Sequence, residues 1–190
     1  ALERDVFVIS MAMFALSLCF QMTSRYIPEY MAVLGASAGI VGLYGSFGNL
    51  VSAVYPYPGG ALSDRLGSRI SLTAFGLAST LGFGFWLLAP EFGSLALVPL
   101  SIPAWIWVFV GLLLAQAWKS FGLGATFAIV KQSVDPSRLA TGFASTEVFR
   151  RIGFLVGPLL AAGLIASATD FTVGFQWVLA VAVGFGLFAT

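Results

Sequence analysis

The sequence predicts an all-α membrane protein, with six transmembrane helices forming one bundle over residues 1–190, and three observations carry that prediction. Of the 190 residues, 59% are hydrophobic and only 9% charged, with a mean hydropathy of +0.97. A soluble domain carries about 25% charge. Apolar runs recur at residues 6–27, 38–57, 70–88, 103–130, 142–166 and 175–190, parted by Gly, Pro and charge. They suit helices spanning a bilayer and are too long for barrel strands. The loop charges are also lopsided. Arg4, Arg65, Arg69, Lys131 and Arg138 fall in segments that the spans place on one side, and only Arg25 on the other. The positive-inside rule then puts both ends of the segment in the cytoplasm and the protein in the plasma (inner) membrane.

Composition also excludes functions. The chain has no histidine, which removes Ser-His intramembrane proteases, bis-His haem proteins and His-liganded zinc enzymes. No Gly-x-x-x-x-Gly-Lys-Ser/Thr loop is present, so no ATP site is expected. No enzyme and no cofactor are predicted. A net charge of +1 without a basic tail gives no reason for a nucleic-acid partner. The single cysteine, Cys19, rules out an internal disulfide.

The first span holds Ser17, Gln21 and Ser24, more polarity than lipid contact favours. Just beyond it, Arg25 and Glu29 stand four apart, close enough to pair on one helical face. The second span repeats glycine at Gly39, Gly42, Gly45 and Gly48, a pattern that permits close helix contact where packing drives association. Pro56 and Pro58 end or kink it. The third span is apolar after Thr73, reads as lipid-facing, and is expected to break at 89–93. The sixth, apolar on all sides, is also read as lipid-facing.

Between the second and third spans lies the densest charge in the chain, at residues 60–72, expected as a tight hairpin at the membrane surface. Gly60 and Gly67 supply backbone freedom, Asp64 an acceptor for a helix N-terminus, and Arg65 and Arg69 the anchoring charge.

The fourth and fifth spans carry charge at membrane depth. Gln116, Lys119 and Ser120 fall near the centre of the fourth, and Glu147, Arg150 and Arg151 lie in the fifth. At about 1.5 Å per residue, Lys119, Arg150 and Arg151 lie within roughly 5 Å of the midplane. A charge at a helix centre costs at least about 2.5 kcal/mol, so these groups must face a cavity or one another. Two readings stay open. One is a structural ion-pair network, because Glu147 reaches Arg150 or Arg151 along its own helix. The other is an electropositive pocket for an anionic or strongly polar solute, with Glu147 as the proton-coupling group.

The order Gly60-x-Leu62-x-Asp64-Arg65-x-Gly67-x-Arg69-x-x-Leu72 resembles the signature between the second and third spans of the major facilitator superfamily. Arg69 replaces the commoner Lys, and Ser68 a further basic residue. Gly122-Leu123-Gly124 is similar to the family's fourth-helix motif, although Trp118 stands in its Arg position beside Lys119. Gly153-x-x-x-Gly157-Pro158 is similar to a fifth-helix motif emphasised in proton-coupled antiporters, with Ala161-Ala162 in place of a glycine pair.

The resemblance implies the N-terminal six-helix half of a secondary transporter, symporter or antiporter, working by alternating access on a small polar or anionic solute or a drug-like compound. It implies a second six-helix bundle as partner, in the same longer chain or in another. By analogy, the first and fourth helices line the cavity with Gln21, Arg25, Gln116 and Lys119. The second and fifth meet the other bundle, with Gly39, Gly42, Gly45, Gly153, Gly157 and Pro158 as interface residues. Gly60, Asp64, Arg65, Gly67 and Arg69 become a cytoplasmic gate. A non-transporting receptor or assembly module and a channel are the rival functions.

Overall fold

The structure is a computed structural model that describes residues 2–94, 102–119 and 123–190. Those residues form nine α-helices and one short 3-10 turn. They are α1 (Leu2–Ser24), α2 (Ile27–Val33), α3 (Ala38–Val54), α4 (Pro56–Leu66) and α5 (Ser68–Ser94). After them come α6 (Ala104–Ala117), α7 (Leu123–Ser133), the turn Pro136–Arg138, α8 (Leu139–Ser167) and α9 (Phe171–Ala189).

Four stretches are long and apolar enough to cross a membrane unaided: Val6–Ser24, Ser68–Phe92, Pro136–Ser167 and Phe171–Ala189. Helices α3 and α4 pass the same test only as a pair, bent by 42°. The bend falls where Pro56 enters as the first residue of α4, since proline cannot donate to the preceding turn. Helix α6 has 14 residues, about 21 Å at 1.5 Å each, short of a hydrocarbon core of about 30 Å. The expected fourth span is described as α6 and α7; residues 120–122 between them, with Ser120 and Gly122, lie outside the described residues.

Two further expectations meet the structure here, and one needs correction. The tight turn expected within 60–72 narrows to a single residue between two helices. Helix α4 runs to Leu66 and α5 starts at Ser68, so Gly67 alone, at φ +85°, makes the turn. A Cβ on Gly60 would meet open space, so no close approach requires glycine there. The expected break at 89–93 is absent, because α5 continues through Pro90 to Ser94. Proline leaves the carbonyl four residues earlier without its helical donor. Here that carbonyl is Trp86 O, and the buried Tyr30 hydroxyl donates to it at 2.9 Å. The partner that keeps the helix intact comes from α2, far away in sequence.

The bundle is built from two tight pairs. Helix α1 packs along α8, helix α5 along α6, and α9 touches α1, α5 and α8. At the first pair, a Cβ on Gly153 would stand 2.9 Å from Phe14 O, and one on Gly157 2.9 Å from Leu18 O. At the second, Gly82 lies against the backbone of Gly111 and Ala115, and Gly111 against the Trp86 ring. Side chains bond across this seam: Ser79 Oγ donates to Ala115 O at 2.8 Å and Trp86 Nε1 to Val108 O at 2.9 Å. Lipid supplies no hydrophobic drive between helices, so such contacts carry the association.

Helices α5 and α9 are not lipid-facing all round. Phe83, Trp86, Phe175, Val178 and Leu179 are buried, whereas Leu81, Leu88, Trp177 and Phe188 are exposed, so each presents one apolar face outward. Tyr30, Phe171 and Phe175 close the bundle near α2, with Tyr30 and Phe175 centroids 4.8 Å apart.

Candidate functional site

A cleft of about 360 Å³ opens between α1, α3 and α6, and the four expected cavity residues Gln21, Arg25, Gln116 and Lys119 all line it. Each arrives for a local reason. Gln21 is on the last turn of α1, and Arg25 follows at the break that Pro28 enforces before α2. Gln116 ends α6, and the chain widens to π-helical spacing at Trp118 and Lys119. Such local widening frequently occurs at functional sites. Gln116 is only 5% exposed, and its Oε1 has no hydrogen-bond partner in the protein. An unpaired buried acceptor costs about 1–3 kcal/mol, which a bound donor recovers.

Helix α3 contributes Gly45, Gly48, Asn49 and Ser52 to the same cleft. Their spacing of three, one and three residues is that of one helical face. Sequence reasoning missed Asn49 and Ser52, although two amide and hydroxyl side chains inside a glycine-rich span were the available signal. Gly45, one of the expected interface glycines, lines the cleft. Cβ atoms on Gly42 and Gly45 would meet nothing within 4 Å, and one on Gly39 only Ser37 Oγ at 3.9 Å.

A second cavity of about 210 Å³ adjoins the first, because Phe20, Gln21 and Lys119 line both. Arg150, Trp118, Phe154 and Met13 complete it. The Glu147 carboxylate accepts from Arg150 Nη2 at 2.7 Å, Arg150 Nε at 2.8 Å and Arg151 Nε at 2.7 Å. Arg150 and Arg151 also stack on Phe154, at 5.1 and 5.5 Å from its centroid. Lys119 Nζ lies 5.1 Å from the Phe20 centroid and has no carboxylate partner among the described residues. Ion pairing and an electropositive cavity thus coexist: one carboxylate engages both arginines and leaves Lys119 to the cavity. Arg151, at 66% side-chain exposure, and Glu147 line neither space.

At the other end of the bundle, Asp64, Arg65 and Arg69 are exposed. Asp64 lies on α4, Arg69 on α5, and Arg69 also lines a cavity of about 200 Å³ with Val8, Ile129 and Thr190. The starts of α1 and α5 and the ends of α7 and α9 therefore share one end. Arg25 and Glu29, also exposed, form no ion pair with each other. Among the described residues no group of three His, Cys, Asp or Glu offers a metal site.

The apolar helical bundle suits a membrane protein, and comparison with known families supplies the class. Residues 9–190 match the Major Facilitator Superfamily, and the chain belongs to that family. It is 30% identical over 186 residues to an uncharacterized MFS-type transporter of Mycobacterium tuberculosis, in two strains. That match covers 97% of this chain and 40% of the relative, so the chain spans less than half the relative's length. The uncharacterized MFS-type transporter YfiU of Bacillus subtilis is 29% identical over 151 residues, 76% of this chain and 26% of the relative. No solved structure matches the chain. The protein is a multi-pass integral membrane protein of a transporter family.

Proposed function

We propose that the chain is one six-helix bundle of a secondary transporter, with α3–α4 as the second span and α6–α7 as the fourth. It moves a small polar or anionic solute, or exports a drug-like compound, by alternating access against a second bundle. One observation carries this reading. Gln21 and Arg25, some 90 residues before Gln116 and Lys119 in the sequence, converge with them on a single cleft that also holds the unpaired Gln116 Oε1.

The second bundle belongs either to the same longer chain or to a partner chain, and the basic end carrying Arg4, Arg65, Arg69, Lys131 and Arg138 faces the cytoplasm of the plasma membrane. Asp64 with Arg65 and Arg69, beside Gly60 on α4 and the turn at Gly67, latches the two bundles there. Glu147 serves as the coupling group: taking up H+ would weaken its hold on Arg150 and free that guanidinium toward the cavity.

Counterflow in proteoliposomes of the full-length protein, with labelled carboxylates, sugars and cationic dyes as probes, tests the reading. A carrier exchanges at least one probe, saturably, and Lys119→Gln and Arg150→Gln lose that exchange while remaining folded by size-exclusion chromatography. Normal exchange by both variants sinks the central-pocket assignment, and non-saturating flux makes the protein a channel.

A further inference from the structure

The two adjoining cavities differ in chemistry, and the difference specifies a class of solute. The smaller one is cationic and aromatic. Lys119 and Arg150 line it, with the rings of Phe20 and Phe154 beneath their charges. Arg150 commits Nε and Nη2 to Glu147, which leaves its Nη1 uncommitted. Trp118 also lines this cavity, is 5% exposed, and carries an Nε1–H without a partner in the protein. An indole N–H only donates, so the group that satisfies it must be an acceptor. The three groups offer N–H donors and no acceptor, which is the donor set of an anion site.

The larger cleft is mixed: Arg25 and Lys119 line it too, but Tyr44, Asn49, Ser52 and Gln116 add uncharged donors and acceptors that the smaller one lacks apart from Gln21 and Trp118. Gln116 is the one of these that is buried with an unpaired acceptor, so it calls for a donor such as a hydroxyl or N–H. Lys119, Gln21 and Phe20 form the boundary between the two spaces.

The geometry points to a solute of two parts: an organic acid whose carboxylate sits among Lys119, Arg150 and Trp118, and whose hydroxylated or amide-bearing body lies in the cleft against Gln116. This inference rests on the cleft's being the transport site and narrows what it takes. Phosphonate or sulfonate would supply the same acceptor oxygens, and the test distinguishes them from carboxylate. Two separate assignments follow. Lys119 reads the charge, and Gln116 reads the body.

Thermal unfolding of the full-length protein in detergent, with matched acid and alcohol pairs as probes, decides the matter. Gluconate with sorbitol and quinate with inositol keep a hydroxylated body and change the charge. Acetate carries the charge without a body, and methylphosphonate and methanesulfonate replace its head. The expected result is stabilisation by the acids, weaker stabilisation by acetate, and none by the alcohols. Lys119→Gln should weaken the acids at least tenfold in half-saturating concentration. Trp118→Phe should do so by several-fold, while Gln116→Leu should bring the hydroxylated acids down to acetate's level without changing acetate itself. Methylphosphonate or methanesulfonate stabilising more than acetate overturns the carboxylate assignment. Alcohols stabilising as well as acids, or no probe stabilising at all, overturns the inference. The same pairs in counterflow separate it from the transport reading. Alcohol exchange without acid exchange leaves a transporter and removes the acid site, whereas acid binding sensitive to Lys119 without any exchange leaves the site and removes the transporter.

Discussion

Helices α3 and α8 carry glycine for opposite ends. On α8, Gly153 and Gly157 stand one turn apart and let the α1 backbone approach so closely that a Cβ would sit 2.9 Å from its carbonyls. On α3, Gly42 and Gly45 leave open space where a Cβ would be, and Gly45 and Gly48 form part of the cleft wall. The same residue type, four residues apart on α8 and three apart on α3, thus closes one seam and leaves another face vacant. Small residues allow close packing, but a neighbour must be there to use it. In the described bundle the α8 glycines have that neighbour, whereas Gly42 and Gly45 of α3 do not, although Tyr44 between them meets Phe109. The vacant face is where the proposed second bundle would rest.

The largest effect should come from filling the closed seam. Gly157→Val forces branched carbon into the α1 backbone and is expected to lower stability by about 3 kcal/mol, the upper part of the overpacking range. Thermal unfolding in detergent reads it, and a wild-type midpoint would refute the seam. Next in size is Tyr30→Phe. It removes the donor to the Trp86 carbonyl that Pro90 leaves free, so about 1–2 kcal/mol should be lost in the same assay. A helix that tolerates this change at no cost would mean that the proline is accommodated some other way.

On the open face the sign should reverse. Gly42→Ala replaces a helical glycine where nothing would clash, and is expected to stabilise by about 0.5–1 kcal/mol. Gly42→Leu then sharpens the comparison. If a second bundle packs there, the substitution lowers transport in counterflow without lowering the unfolding midpoint; unchanged transport would show that this face meets only lipid. The smallest effect is expected at the basic end. Asp64 is exposed on α4 and forms no ion pair among the described residues, so Asp64→Asn should leave stability unaltered. As a latch it should nevertheless shift the balance of inward-open and outward-open states, read by accessibility of single cysteines at the two ends. An unaltered balance would remove the latch from the proposal.

Much of this was legible before any coordinates. A chain with 9% charge and repeated apolar runs has to be a helical membrane protein, because backbone groups in lipid must be satisfied within each segment. The signature at 60–72 pointed to the family, and charge at membrane depth pointed to Lys119 and Arg150. That followed from cost alone: an ionised group in hydrocarbon persists only where something compensates it. The hidden part was pairwise. Whether Pro90 breaks α5 depended on a hydroxyl some 60 residues away in sequence, and local propensity carries no trace of Tyr30. Asn49 and Ser52 were overlooked because the glycines around them suggested a packed interface.

The solvent, the class and the family of this protein follow from hydropathy, charge placement and short motifs, which are properties of the chain read in order. Which glycines meet a neighbour, and which charges pair with Glu147, depended on the packing of the helices. It also decided that Gln21, Arg25, Gln116 and Lys119 share one cleft. Those outcomes depend on which helices meet and at what distance. Helices with similar spacing patterns can meet in several ways, and the side-chain contacts between them select one.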